Sequence, residues 1–294
     1  MRICDAHGHF FSARFFRLLM DRPDSTAPLE PLLAASGIEP PPEDPVELAA
    51  RWDAQLAAHD VARMALMASH PGDLESVAQA LRAYPRRFVG FAMIDPRDPA
   101  AAARAADLGF RALALFPALL AFDPAGPEAD AALAVARDRG LAAFVHAGML
   151  KIPLRDKLGL KTPLDGRYLD PLCWLAAARR YPEVPFIVPH LGSGYLREAL
   201  MLAELCPNVR LDTAGAGGWR KVLHPPLSLS EAFARALEVA GPDRLLFGSD
   251  SGSWPRGYRK DILEAQHHAF WDIGVDAGVI DGIFGGNFER LFPG

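Results

Sequence analysis

The sequence is poor in cysteine, in long apolar runs and in positive charge. Its three cysteines (Cys4, Cys173 and Cys206) are odd in number and scattered, which argues against a disulfide framework and is typical of reduced thiols in a cytoplasmic protein. No apolar run approaches the ~20 residues that a membrane-spanning helix needs. The net charge of −5 and the pI near 6.0 offer no basic surface, so we expect no role in binding nucleic acid or membranes.

The length and composition indicate one large domain. The 294 residues exceed the roughly 250 that an α/β barrel needs, and 50% of them are hydrophobic, so a sizeable core is available. No internal repeat or low-complexity tract divides the chain, and we expect a single domain over residues 1–294. A cleaved signal peptide is not expected, because cleavage would remove the first predicted strand with His7 and His9.

Eight short apolar segments are predicted as strands. Seven are nearly continuous apolar runs, which is typical of parallel strands buried on both faces, and the first is interrupted by polar residues. They are Ile3–His9, Ala62–His70, Phe88–Asp95, Phe110–Phe116, Leu141–His146, Pro185–His190, Val209–Thr213 and Arg244–Asp250. Helical patterns follow them in alternation, at residues 46–60, 73–84, 98–108, 127–139, 170–181, 194–205, 228–240 and 258–273. This alternation predicts an α/β protein with a (β/α)₈ TIM barrel.

Two connections are longer than the roughly 2–6 residues usual between a strand and the next helix. The first, Phe10 to Pro45, follows the first strand and carries seven prolines. The second, Gly148 to Leu169, follows the fifth strand and carries Lys151, Arg155, Lys157, Lys161 and Arg167. Both leave the C-terminal ends of strands, so we expect them to lie over the mouth of the barrel. The alternative for each is a structural role, as a support of the barrel or as a subunit contact in a homodimer.

Potential metal ligands lie at the ends of four predicted strands. The segments are Asp5-Ala6-His7-Gly8-His9, Phe144-Val145-His146, Val188-Pro189-His190 and Phe247-Gly248-Ser249-Asp250. His7 and His9 are two positions apart on a strand, so their imidazoles share a face. The C-terminal ends of barrel strands converge on one mouth. Several imidazoles and a carboxylate at this mouth predict a site for a divalent transition metal.

The same residues also have structural explanations. His146 or His190 alone could be a hydrogen-bonded core residue, whereas two inward imidazoles on one strand are hard to explain without a ligand. Asp250 would be costly to bury without a partner, so we expect a metal or an imidazolium beside it. His70 ends the second predicted strand, where it either lines the mouth or forms a turn with Pro71.

The order of the motifs resembles the amidohydrolase superfamily, in the branch of aminocarboxymuconate-semialdehyde decarboxylase and related metal-dependent hydrolases. Beside the strand-end segments, the resemblance rests on Pro85-Arg86-Arg87-Phe88-Val89-Gly90, Leu211-Asp212-Thr213 and Gly285-Gly286-Asn287-Phe288-Glu289-Arg290-Leu291-Phe292, and it covers nearly the whole chain. It implies that four residues hold the metal, namely His7, His9, His146 and Asp250. It also implies that His190 acts as a base or polarises a carbonyl.

The fourth predicted strand departs from the binuclear members of this superfamily. Those members carry a carboxylated Lys or a Glu at its end to bridge two metals, whereas the stretch from Arg111 to Pro117 contains neither. The resemblance therefore implies one divalent metal ion, with Zn²⁺ as the first choice and Mn, Fe, Co or Ni also compatible. The same difference argues against the related barrel nucleases, which use a Glu at this position.

The expected activity is hydrolysis of an amide, lactone or ester. A metal with an open coordination position activates water, and His190 or Asp250 is the expected general base. Non-oxidative decarboxylation of an unsaturated or aromatic acid, which the same branch performs, is the alternative reaction. An inactive barrel that serves as a metal-binding scaffold is the alternative outside catalysis.

The charges of the long connections favour a small anionic substrate. Arg155 and Arg14 are the first candidates to bind its carboxylate, because a guanidinium can bind a carboxylate through two hydrogen bonds. Trp219 and Trp254 follow the seventh and eighth predicted strands, and they are candidates for flat apolar walls beside a ring or a conjugated chain.

We predict that the purified protein binds about one equivalent of divalent metal. Replacing a ligand leaves an incomplete coordination set, so His7→Ala and His9→Ala should abolish both metal binding and activity. Elemental analysis of the purified variants measures the first effect. Two tightly bound equivalents in the unmodified protein would contradict a mononuclear site.

Overall fold

Eight parallel strands, hydrogen-bonded in sequence order, form the centre of the molecule. The computed structural model describes residues 1–215 and 217–294. The strands are β1 Ile3–His9, β2 Val61–Ala68, β3 Phe88–Met93, β4 Ala112–Leu115, β5 Ala142–Val145, β6 Phe186–Val188, β7 Val209–Asp212 and β8 Leu245–Leu246. Nearly all of their residues are buried, as the continuous apolar runs predict.

Hydrogen bonds between the last and first strands close the sheet into a barrel. The N–H of Asp250 donates to the carbonyl of His7 at 2.9 Å, and the N–H of His9 donates to the carbonyl of Ser251 at 2.8 Å. β8 itself is only two residues long, and the chain beyond it leaves extended geometry at Asp250, which has a φ of 58°. The predicted (β/α)₈ barrel is confirmed, although its eighth strand is shorter than expected.

Helices surround the barrel at each of the eight predicted positions. In the described part of the chain they are α1 Ala13–Leu19, α2 Glu30–Leu33, α3 Pro45–Ala58, α4 Leu74–Ala83, α5 Ala101–Asp107, α6 Pro117–Leu120, α7 Pro127–Asp138, α8 Pro153–Lys157, α9 Leu175–Arg180, α10 Leu196–Leu205, α11 Leu229–Ala240, α12 Lys260–Asp272, α13 Ala277–Asp281 and α14 Asn287–Leu291. Short single-turn helices, among them α1, α2, α6 and α8, lie in the loops. None of these described helices combines the length and the apolar character needed to cross a bilayer.

Side chains of the strands alternate between two buried layers. On β4, Leu113 and Leu115 face the helices, whereas Ala112 and Ala114 face the barrel interior. The interior also contains two phenylalanines from the C-terminal region, Phe288 and Phe292. That region covers the end where β1 begins, since a Cβ on Gly285 would lie 1.8 Å from the carbonyl oxygen of Arg2. The opposite end, where the strands finish, is therefore the mouth.

The two long connections share a hydrophobic cluster. We call residues 10–45 the first lid segment and residues 148–169 the second lid segment. Phe15 and Phe16 of α1 and Leu33 of α2 are buried together with Leu154 of α8. The second lid segment thus reaches the first. The first is fastened in turn to the region after β2, because Ser12 donates a 2.6 Å hydrogen bond to the buried carboxylate of Asp73.

We predict that Asn287→Ala lowers the free energy of unfolding by about 1–3 kcal/mol, the usual result of leaving a buried partner unsatisfied. The Asn287 amide donates to the carbonyls of Pro242 (2.7 Å) and Leu245 (2.6 Å), and so fastens α14 to the start of β8. Urea denaturation measures the change. Trp271→Ala, at a side chain that is 67% exposed, is the control and should change stability by less than about 0.5 kcal/mol.

Candidate metal centre

Three of the predicted metal ligands lie together where β1 and β8 end. One ligand atom from each of His7, His9 and Asp250 lies within 4.8 Å of the other two. Oδ1 of Asp250 is 3.1 Å from Nε2 of His9 and 3.7 Å from Nε2 of His7. Nitrogen and oxygen ligands at the usual 2.0–2.2 Å from one ion lie about 3 Å apart. The three side chains therefore match a shared divalent ion.

A buried carboxylate orients the imidazole of His7. Oδ2 of Asp212 is 2.7 Å from Nδ1 of His7, and the Asp212 side chain is fully buried. Because a carboxylate accepts hydrogen bonds, Nδ1 of this imidazole carries a proton, and in the neutral imidazole the lone pair of Nε2 faces Asp250. The sequence motif contained Asp212, but no role was assigned to it. Its position at the end of β7, beside the other strand-end ligands, is the signal that could have identified it.

A serine hydroxyl orients the imidazole of His9 in the same way. Oγ of Ser69 is 2.7 Å from Nδ1 of His9, and the same hydroxyl donates to the carbonyl of Met67 at 3.3 Å. The Ser69 oxygen can therefore accept from Nδ1 of His9 when Nε2 binds a cation, whereas in the metal-free centre Nε2–H of His9 donates to Oδ1 of Asp250 at 3.1 Å. Sequence reasoning missed Ser69 because a lone serine after a strand carries no specific signal. The ring of Phe11 stacks on His9 at 5.2 Å and forms an apolar wall.

The imidazole of His190 lies beside this group and is held in one orientation. Its Nδ1 is 3.0 Å from the carbonyl oxygen of Ala214, which can only accept, so in the neutral imidazole Nε2 carries the lone pair. The His190 ring centroid is 4.8 Å from that of His7. The backbone of His190 is left-handed, with a φ of 55°, and so is that of Leu191, with a φ of 50°. This tight turn ends β6 and places the imidazole at the mouth instead of extending the strand.

His146 lies next to His190 at the end of β5. The two ring centroids are 5.7 Å apart, and the His146 ring stacks on Phe116 at 5.1 Å. His146 is outside the group of three ligand atoms, so its assignment as the fourth ligand stays a prediction. The loops after β5 and β6 touch through their backbones, because a Cβ on Gly148 would lie 1.9 Å from the carbonyl oxygen of Gly192. This contact holds His146 and His190 side by side.

Electrostatics favour ligands that are ready to bind a cation. Burial lowers the pKa of His9, and it lowers that of His146 further, so both imidazoles are neutral near pH 7. Burial alone would raise the pKa of Asp250. The hydrogen bond from His9 and the charge of His7 outweigh burial and hold this pKa well below its usual range.

His7 differs from the other imidazoles. Burial lowers its pKa, but the carboxylates of Asp212, Asp250 and Asp5 outweigh burial and raise the pKa to about 9. The metal-free centre therefore holds a proton on His7 at neutral pH. A divalent ion at this position would have to displace that proton, so metal affinity should rise with pH.

The four predicted substrate contacts are in two different environments. Arg14 is exposed and its Nε donates to the carbonyl of Gly72 at 3.0 Å, whereas Arg155 is half-buried in the second lid segment. Trp219 and Trp254 are buried, with 7% and 8% of their surfaces exposed. Trp254 packs against Trp52 (4.5 Å) and Arg51 (4.4 Å) of α3. These contacts give Trp254 a packing role, and contact with substrate stays a prediction for all four.

A family model described as amidohydrolase matches residues 4–294. The chain belongs to the amidohydrolase family. A search of curated proteins gave no match. The matched range of this amidohydrolase includes all four strand-end histidines and Asp250.

Three solved structures illustrate the similarity. A probable 2-pyrone-4,6-dicarboxylic acid hydrolase from Acinetobacter baumannii is 17% identical, with 99% of each chain covered and a TM-score of 0.64. A 5-carboxyvanillate decarboxylase from Novosphingobium aromaticivorans, complexed with manganese, is 16% identical, with 99% of this chain and 96% of that chain covered and a TM-score of 0.65. An amidohydrolase from Burkholderia multivorans with bound zinc is 16% identical, with 99% of each chain covered and a TM-score of 0.60. At these identities the likeness shows a shared fold.

We predict that Asp212→Asn weakens metal affinity about 10- to 100-fold, the usual effect of losing a carboxylate that orients a ligating imidazole. The amide no longer supplies the negative charge and no longer requires the proton on Nδ1 of His7. Ser69→Ala should weaken affinity less, because His9 loses only a neutral hydroxyl. Titration against a competing chelator measures both constants, and equal affinities for Asp212→Asn and the unmodified protein would contradict the role of Asp212.

Proposed function

We propose that this amidohydrolase is a mononuclear metal-dependent hydrolase that acts on an amide, lactone or ester of a small carboxylate-bearing molecule. The observation that carries the proposal is the convergence of His7, His9 and Asp250 on one position, with Nε2 of His190 free beside it. A divalent metal held there, with Zn²⁺ as the first choice, would polarise the carbonyl and activate a water.

A single metal is supported by the end of β4. Leu115 ends the strand and Phe116 follows it, so this position offers an apolar surface instead of a bridging carboxylate. The apolar surface continues around the centre, because Phe144 contacts His7 at a ring distance of 5.0 Å and Phe11 stacks on His9. Such walls exclude water and strengthen the electrostatic interactions of the reacting groups.

His190 is the proposed general base. Its hydrogen bond to the carbonyl of Ala214 keeps the proton on Nδ1, so Nε2 can take a proton from the attacking water. The water oxygen bonds to the carbonyl carbon, the C–N or C–O bond breaks, and the proton held by His190 passes to the leaving nitrogen or oxygen. Asp250, held by His9 at 3.1 Å, is the second group that can orient the water and accept its proton.

The lid segments support an anionic substrate. Arg14 and Arg155 lie on α1 and α8, the two helices that the hydrophobic cluster with Phe15, Phe16 and Leu154 packs together. Both guanidinium groups donate to backbone carbonyls, so neither is neutralised by these hydrogen bonds. Two cations above an acidic protein's metal centre favour a carboxylate.

Non-oxidative decarboxylation is the second candidate reaction. The 5-carboxyvanillate decarboxylase reported above has the same fold and a bound manganese, which supports considering this reaction here. In that case the carbon that loses CO₂ must gain a proton, and protonated His190 is positioned to supply it. The alternative of an inactive scaffold receives no support from this site. The imidazoles of His7, His9 and His190 are each held in a fixed orientation by a hydrogen bond at Nδ1.

A cytoplasmic location is part of the proposal. Cys4 and Cys206 are buried, Cys173 is half-buried, and all three are free thiols. Free thiols agree with a reducing compartment.

Substrate class is tested by screening metal-loaded protein against lactones, amides and aromatic or muconate-type carboxylates. Release of CO₂ identifies decarboxylation, and appearance of a new acid without CO₂ identifies hydrolysis. Hydrolysis of neutral amides or esters as rapid as that of their carboxylate-bearing analogues would contradict an anionic substrate.

We predict that His190→Asn retains the metal but lowers kcat at least about 100-fold, the usual contribution of a general base. His268→Asn is the matched control, because the His268 side chain is 77% exposed on α12, and it should leave kcat unchanged. Elemental analysis and steady-state kinetics measure the two effects. Loss of the metal in His190→Asn would show that His190 is a ligand instead of a base.

A further inference from the structure

His70 follows β2 and is held in one tautomer. The N–H of Gly72 donates to Nδ1 of His70 at 3.0 Å. Because Nδ1 accepts this hydrogen bond, the proton of the neutral imidazole lies on Nε2, which is then a donor. The preceding residue, Ser69, binds His9. His70 therefore directly follows a residue of the candidate metal centre, and the reaction proposed above gives it no role.

Arg14 is fastened to the same turn. Its Nε donates to the carbonyl of Gly72 at 3.0 Å, so one glycine holds both the imidazole and the guanidinium. The terminal nitrogens of Arg14 project from an exposed side chain. The neighbouring carboxylate of Asp73 is engaged by the hydroxyls of Ser12 (2.6 Å) and Ser76 (2.5 Å).

Arg155 approaches this turn from the second lid segment. Its neighbour Leu154 is buried in the cluster that also contains Phe15 and Phe16 of α1. The Nε and one terminal nitrogen of Arg155 donate to the carbonyl of Lys161, at 3.1 and 2.7 Å, and fix the plane of the guanidinium. The second terminal nitrogen is not used in these hydrogen bonds.

The two guanidinium groups both act on the imidazole. Burial lowers the pKa of His70, and the charges of Arg14 and Arg155 lower it further. His70 therefore stays neutral near pH 7 and keeps its single donor on Nε2. A neutral donor near two cations is suited to an anion, because the imidazole adds a directed hydrogen bond to the attraction of the two charges.

We propose that His70, Arg14 and Arg155 form a subsite that binds a carboxylate of the substrate. In this subsite the Nε2–H of His70 donates a hydrogen bond to the carboxylate and fixes the orientation of that carboxylate. This inference rests on the proposed function and names the substrate group that it requires. Ser69 connects the turn of His70 to His9, whereas the ring of the proposed base His190 is 4.8 Å from that of His7. We therefore expect the recognised carboxylate to be separate from the group that reacts at the candidate metal centre.

Binding of benzoate, with benzamide as its neutral analogue, tests the subsite in zinc-loaded protein. Calorimetry measures affinity, and NMR of protein labelled with ¹⁵N-histidine reports the tautomer of His70. Benzoate should shift the Nε2–H resonance of His70. Its affinity should fall about tenfold in His70→Phe, Arg14→Gln and Arg155→Gln, the scale of one hydrogen bond to a charged group. Binding of benzamide should be weak and unchanged.

Two further variants make the test specific. His70→Gln can restore a donor near Nε2 and should recover part of the affinity that His70→Phe loses. Lys157→Gln removes an exposed cation from the same helix, α8, and should leave benzoate affinity unchanged. Metal content and circular dichroism identify any variant that fails to fold, and the arginine variants then decide the result.

Several outcomes would overturn the subsite. The first is equal benzoate affinity in all variants, which would indicate that benzoate binds directly to zinc. The second is that the unmodified protein does not bind benzoate. The third is an NMR spectrum that places the proton of His70 on Nδ1. These readouts need no turnover. His70-dependent benzoate binding in a protein that shows neither hydrolysis nor decarboxylation would overturn the proposed function and leave the anion subsite standing.

Discussion

The hydrogen bonds that close the barrel between β8 and β1 bring together the residues of the candidate metal centre. The N–H of Asp250 donates to the carbonyl of His7, and the N–H of His9 donates to the carbonyl of Ser251. Residues from opposite ends of the chain thereby become neighbours on adjacent backbone segments, and the side chains of His7, His9 and Asp250 approach one position. The geometry of the candidate centre therefore depends on closure of the barrel.

Three imidazoles at the mouth each pair Nδ1 with a different group. Asp212 serves His7, Ser69 serves His9, and the carbonyl of Ala214 serves His190. The Nε2 atoms of His7 and His9 become free for a cation when it replaces the protons that they direct at Asp250. The partner of His7 is a charged carboxylate and those of His9 and His190 are neutral, so the hydrogen bond that orients His7 is the strongest of the three.

Continuous apolar runs with polar ends were enough to predict the barrel and to place His7, His9 and Asp250 at one mouth, because parallel strands can only end on the same side. The left-handed turns at His190 and Asp250 were not predictable, since they depend on tertiary hydrogen bonds. Trp254 shows a second limit. An indole after a strand is equally suited to a substrate wall and to packing, and only the structure reveals Trp52 as its neighbour.

The hydrophobic cluster that unites the lid segments constrains how this active site can change. Phe15 and Phe16 in one segment and Leu154 in the other bury one another, so neither segment can hide its apolar side chains alone. A deletion or a rotation in one must be matched in the other. Replacing either lid segment alone would leave apolar side chains of the other exposed to water, so a redesign of this mouth has to treat the two segments as one unit.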